Sequence, residues 1–146
     1  MPDPADPRLL AARMVEAATE GVMLSDLPAV SEPAISARAQ RLALATLRNL
    51  ARADAVLAPF LRKMPPPFVV AVLRVAVVEM LDLGAAPHGV VNAAVSTLRA
   101  DPQGRHSAGM ANAVLRRAAE ATGWAEMPVQ SLPGWLRRRL RAAYGE

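Results

Sequence analysis

PFVVAVLRVAVVEMLDLG, residues Pro67–Gly84, completes the triplet Pro65–Pro66–Pro67 and decides which fold this chain can make. Val69, Val72, Leu73, Ala76, Val77, Met80 and Leu81 recur at helical spacing, and Val70, Val75 and Val78 carry apolar surface around the other side. A helix that is apolar on nearly every side belongs at the centre of a bundle. Pro67 suits a first helical turn, and Gly84 supplies a C-terminal stop. Arg74, Glu79 and Asp82 interrupt the run, which is too short and too charged to span a bilayer. The five-residue offset between Arg74 and Glu79 sets them about 140° apart. Each is therefore expected to satisfy a different neighbour, because buried charges need partners.

Outward from this helix, six more helical segments can be placed. The first runs from about Asp6 to Met23, with Leu10, Met14, Ala17, Ala18 and Gly21 on one side. A second opens near Ser31, with Glu32 and Pro33 in its first turn, and continues to about Ala51; a third covers residues 54–63. After the central helix come Pro87–Arg99, with Val91, Ala94, Val95 and Leu98 as its stripe, and a helix capped by Ser107 that ends near Thr122–Gly123. Pro133 opens the last, Gly134–Tyr144. Asn92 and Asn112 fall within apolar stripes, which predicts buried hydrogen bonding for both. No stretch alternates apolar and polar residues long enough to propose a sheet. The expected fold is all-α, a bundle of about seven helices over residues 1–123, with a C-terminal linker helix over 124–146.

Hydrophobic residues make up 53% of the 146, enough for a core. Only five residues are aromatic, so that core must be built from Leu, Val, Ala and Met. The chain has no cysteine, which excludes disulfides, thiolate nucleophiles and cysteine-based zinc sites together. His88 and His106 are the only histidines, and neither has a nearby carboxylate pair, so no metal site is expected. No strand leads into a Gly-rich phosphate loop, and nothing resembles a nucleophile–base–acid set. Two Asp and two Pro within Met1–Asp6 are unlike a secretory leader, so a cytoplasmic location without membrane contact is expected.

The net charge is +4, and its distribution says more than its size. Residues 1–98 hold nine basic and nine acidic side chains, whereas residues 99–146 hold eight Arg against four acids. Arg38, Arg41, Arg48 and Arg52 fall within about 80° of one another on a helical projection. Leu42, Leu47, Leu50, Ala39 and Ala43 centre on the opposite side. One face packs while the other carries four cations along about 20 Å of helix, a span able to meet several phosphates. Arg116–Arg117 and the run Arg137, Arg138, Arg139 and Arg141 form two further clusters. The competing reading of all three groups is a solvated charged surface. In the last helix Leu136, Leu140, Ala143 and Tyr144 make an apolar edge that must pack on something.

LRVAVVEMLDLGAAPHGVVNAAVSTLR (Leu73–Arg99) followed by GMANAVLRR (Gly109–Arg117) resembles the NusB family. That family shows an LR-x-A-x-YE-L helix, a Pro-x-x-x-x-Asn-Glu-Ala-Val helix and a Phe-Val-Asn-x-Val-Leu-Arg helix. The matching residues here are Leu73, Arg74, Glu79, Pro87, Asn92, Ala94, Val95, Asn112, Val114, Leu115 and Arg116. Val78 replaces the family's aromatic residue, Ala93 its acidic residue and Met110–Ala111 its Phe-Val. MVEAATEGVMLSDLP (Met14–Pro28), LATLRNLARADAVLAPFL (Leu44–Leu61) and LPGWLRRRLRAAYGE (Leu132–Glu146) are similar to the N-terminal domain of the RsmB (Fmu/Sun) ribosomal RNA cytosine-C5 methyltransferase family. In the tail, a Pro-x-Trp-Leu helix resembles the junction towards that family's methyltransferase domain.

The resemblance implies a NusB-like RNA-binding fold and a catalytic domain lying outside this chain. Cytosine C5 methylation uses a cysteine nucleophile and S-adenosylmethionine; this chain has no cysteine and no cofactor loop, so it is expected to bind no cofactor and to be no enzyme by itself. It looks like a fragment that positions 16S ribosomal RNA for a covalently linked methyltransferase domain. The residues expected to contact RNA are Arg38, Arg41, Arg48, Arg52, Arg116, Arg117, Arg137 and Arg138. The alternative is a free-standing NusB-like antitermination factor that binds RNA together with a ribosomal protein.

Overall fold

The computed structural model describes residues 6–20 and 33–128. Within them lie six α-helices and no strand: α1 (Pro7–Glu20), α2 (Pro33–Arg48), α3 (Leu50–Leu57), α4 (Pro67–Leu81), α5 (Pro87–Ala100) and α6 (Ala108–Ala118). Short 3-10 turns occupy Ala58–Phe60, Arg105–Ser107 and Trp124–Glu126. The seventh expected helix, Gly134–Tyr144, lies outside the described residues.

α4 is the axis of the bundle. All of its fifteen residues but Pro67, Arg74 and Leu81 are buried, and α1, α2, α3, α5 and α6 all pack on it. Its near-uniform apolar surface dictates this, since each side must be covered by another helix. Phe68, Val69, Leu73, Val77 and Val78 meet Met14 and Val15 of α1, Leu47 of α2, Leu98 of α5 and Leu115 of α6 in one continuous core. The two charges of α4 go to different neighbours, as their angular separation requires. Glu79 takes a forked pair of hydrogen bonds from Arg8 Nε and NH2 at 2.8–3.0 Å. Arg74 donates to both carboxylate oxygens of Asp54 on α3, at 2.8 and 3.0 Å.

The connections are fixed by short-range chemistry. Asp6 Oδ1 accepts the Arg8 backbone N–H at 3.0 Å, capping α1. Gly84 adopts φ 74°, the left-handed conformation that ends α4, and the Ala85 N–H returns to the Glu79 carbonyl at 3.0 Å. Arg13 stacks over Phe68 at 3.9 Å and donates to Asp101 Oδ2 at 2.7 Å, tying α1 to the α5–α6 connection. In that connection Gly104 lies against Leu98 so closely that a Cβ would fall 2.6 Å from Leu98 Cδ2.

Several sequence expectations are corrected. α2 ends at Arg48 instead of running to Ala51, and α3 begins at once at Leu50. The Thr46 hydroxyl donates to the Leu42 carbonyl and Asn49 Nδ2 to the Ala45 carbonyl, both at 2.8 Å. Such local bonds compete with the helical ladder, and at Asn49 the backbone leaves helical geometry with ψ 20°. Ser107 makes no side-chain cap; it closes a 3-10 turn before α6. Asn92 is exposed and Asn112 half-buried, so neither serves as a buried core hydrogen-bonding group. The packing also continues past Gly123. Trp124 is buried, and its indole Nε1 donates to Asp82 Oδ1 at 3.1 Å.

Candidate nucleic-acid interface

α2 divides its surface as its sequence dictates. Ala39, Leu42, Ala43 and Leu47 are buried, and Arg38, Arg41 and Arg48 are exposed on the other side. Arg38 and Arg41 border a shallow cleft of about 330 Å³ shared with Leu42, Pro7, Arg8, Glu79 and Leu83. Along the helix these three cations span about 15 Å.

Arg52, expected as the fourth member of this stripe, is placed elsewhere. It is only 8% exposed. Its Nε donates to the Met127 carbonyl at 2.8 Å and its NH1 to Asn49 Oδ1 at 3.3 Å, and the guanidinium lies 5.6 Å from the Trp124 ring. The projection that joined it to Arg48 assumed one straight helix. The break at Asn49 moves Arg52 onto α3 and turns it inward, where it holds the Trp124–Met127 segment against the bundle.

On α6, Arg116 and Arg117 are both exposed. Arg116 Nε donates to Asn112 Oδ1 at 3.2 Å. Arg117 borders a cleft of about 810 Å³, formed by Phe60–Pro66 on one side and Ser107, Met110, Ala113 and Val114 on the other. Arg62 and Lys63 line it too, and Met64 stands 74% exposed at its mouth. Sequence reasoning missed this cleft; the Pro triplet after an exposed methionine was its signal. Arg137 and Arg138 lie outside the described residues.

The cations thus sort into two sets. Arg8, Arg13 and Arg74 are paired with Glu79, with Glu16 and Asp101, and with Asp54, while Arg52 serves backbone carbonyls. The hydrogen bonds that the Arg8 guanidinium donates to Glu79 raise its pKa above the ordinary value, against the opposing effect of burial. Among the described residues, Arg38, Arg41, Arg48, Arg62, Lys63, Arg99, Arg105 and Arg117 make no side-chain ion pair or hydrogen bond, and Arg116 bonds only the neutral Asn112. Among described carboxylates only Glu20, Glu120 and Glu126 are likewise unengaged. The surface is therefore left with a surplus of free guanidinium groups, donors that fit phosphate oxygens in pairs. Among the described residues no three His, Asp or Glu side chains gather to hold a metal, and no helix is long and apolar enough to cross a membrane.

The NusB family matches residues 5–120, which takes in all six helices and the α2 and α6 arginines. This chain is a member of the NusB family. Within that family setting, the chain is similar to the ribosomal RNA small subunit methyltransferase B of Xanthomonas campestris pv. campestris, with 33% identity over 156 aligned positions. The alignment takes in 95% of this chain but 34% of the relative, so the chain spans about a third of that protein's length. No solved structure matches the chain.

Proposed function

We propose that this NusB domain is the RNA-binding module of a ribosomal RNA cytosine-C5 methyltransferase, gripping 16S ribosomal RNA for a covalently linked, S-adenosylmethionine-dependent catalytic domain. The observation that carries this reading is the α2 face. Arg38, Arg41 and Arg48 stand exposed on one side of a helix whose other side is packed, and no described carboxylate neutralises any of them. Cations spaced along a rigid helix can follow a phosphate backbone without reading bases. In this reading the domain contributes position and affinity, and the linked domain contributes the chemistry. The likeness to a small-subunit ribosomal RNA methyltransferase supports both the RNA class and the reaction class. Arg116 and Arg117 on α6, and Arg137 and Arg138 further along the chain, extend the proposed contact.

The test is a titration of the chain with small-subunit ribosomal RNA fragments at several salt concentrations. Binding should weaken steeply as salt rises, and Arg41→Ala with Arg48→Ala should reduce the log–log salt slope by about two units. Binding without a salt slope, or a slope untouched by the double substitution, contradicts phosphate contact by α2.

A further inference from the structure

Two polar pairs on α5 and α6 take no part in the α2 face. On α5 the Asn92 Nδ2 lies 3.2 Å from His88 Nε2, and on α6 Arg116 Nε donates to Asn112 Oδ1 at 3.2 Å. Each pair is spaced by one helical turn. The two helices pack together, and His88, Asn92 and Arg116 line a single cleft of about 400 Å³ with Pro87, Val91 and Ala119. No carboxylate lines it. Glu120 sits one turn beyond Arg116, where an ion pair is ordinarily available, yet no ion pair forms between them. Arg116, which lines the cleft, is engaged through Nε by a neutral amide, and its two terminal guanidinium nitrogens have no partner among the described residues. With the Asn92 amide donating to Nε2, the His88 ring carries its proton on Nδ1 and offers a second donor.

We infer that this cleft binds a phosphate oxyanion. Arg116 and His88 are its donors, and Asn112 and Asn92 are positioning residues that hold those two side chains in place. A guanidinium and an imidazole in one lining with Val91, Pro87 and Ala119 offer donors, and no carboxylate competes as an acceptor there. The source of the phosphate is either the backbone of a bound RNA, which rests on the functional reading above, or free phosphate, which does not.

The His88 ring signals and the Arg116 Nε–H signal are followed by NMR as inorganic phosphate, and separately a small-subunit ribosomal RNA fragment, is added to the whole chain. Both signals should move with either ligand. Arg116→Gln should lower the salt slope of RNA binding by about one unit and abolish the His88 response. Asn112→Ala, which keeps the charge but frees the guanidinium, should weaken binding several-fold with the slope retained. A response to phosphate without RNA binding keeps this site and defeats the RNA-binding reading. RNA binding that leaves His88 and Arg116 unmoved, with no response to phosphate, overturns the site.

Discussion

Sixteen of the seventeen basic side chains are arginine, and what each does depends on which acceptor lies within reach. Arg52 and Arg48 share one side of an ideal helical projection, yet one is buried against Met127 and the other is exposed. Arg52→Ala should therefore lower stability by about 2 kcal/mol, since it removes a buried charged donor from backbone carbonyls; a shift in the denaturant midpoint measures this. RNA affinity and its salt slope should be retained in that variant at temperatures where it is folded. Arg8→Ala leaves the Glu79 carboxylate, 11% exposed in its side chain, without its partner. A loss of about 2 kcal/mol is expected there as well, again read from the denaturant midpoint. The assignment of Arg74 and Glu79 to separate neighbours was legible in the sequence, because a 140° separation in an apolar helix leaves little else. The fate of Arg52 was not, because it turns on Asn49, whose side chain bonds backward to Ala45 and breaks the projection.

Among the helices, α4 was the most legible, because a proline triplet and a glycine bound it and few polar residues interrupt it. Leu73, fully buried in α4, should cost about 3 kcal/mol on truncation to alanine, measured by chemical denaturation. Gly104 stands out in no local pattern; what matters is its contact with Leu98, a relation between segments that such a pattern does not report. Gly104→Ala would set a Cβ 2.6 Å from Leu98 Cδ2 and 3.0 Å from the Leu98 Cα. The backbone part of that contact has no easy relief, so a loss of about 1–3 kcal/mol is expected, seen as a lowered denaturation midpoint. Asn92 was misplaced because its neighbours Val91, Ala93 and Ala94 blur the edge of the stripe. Alanine fits both sides of a helix, and only packing shows that Asn92 falls just outside the buried set. The surplus of unpaired cations at α2 and α6 could be suspected from spacing, but which arginines remain free depends on tertiary partners such as Asp54, Asp101 and Glu79.

For the molecule as a whole, α4 is a common core onto which every other described helix docks, so α2 and α6 present their arginines from a shared support. Trp124 and Arg52 extend that support past α6, fixing the chain at Met127 against the bundle. The chain belongs to the NusB family and is similar to about one third of a ribosomal RNA methyltransferase, and the proposed RNA-holding role rests on both. The central claim is that the exposed, unpaired arginines grip phosphate while the paired ones hold the fold. The Arg Nε–H spectrum, recorded with and without saturating small-subunit ribosomal RNA at moderate salt, tests it most directly. The signals of Arg38, Arg41 and Arg48 should move while those of Arg8, Arg13, Arg52 and Arg74 stay in place. Movement of the paired set alone, or an unchanged spectrum at RNA saturation, would contradict it.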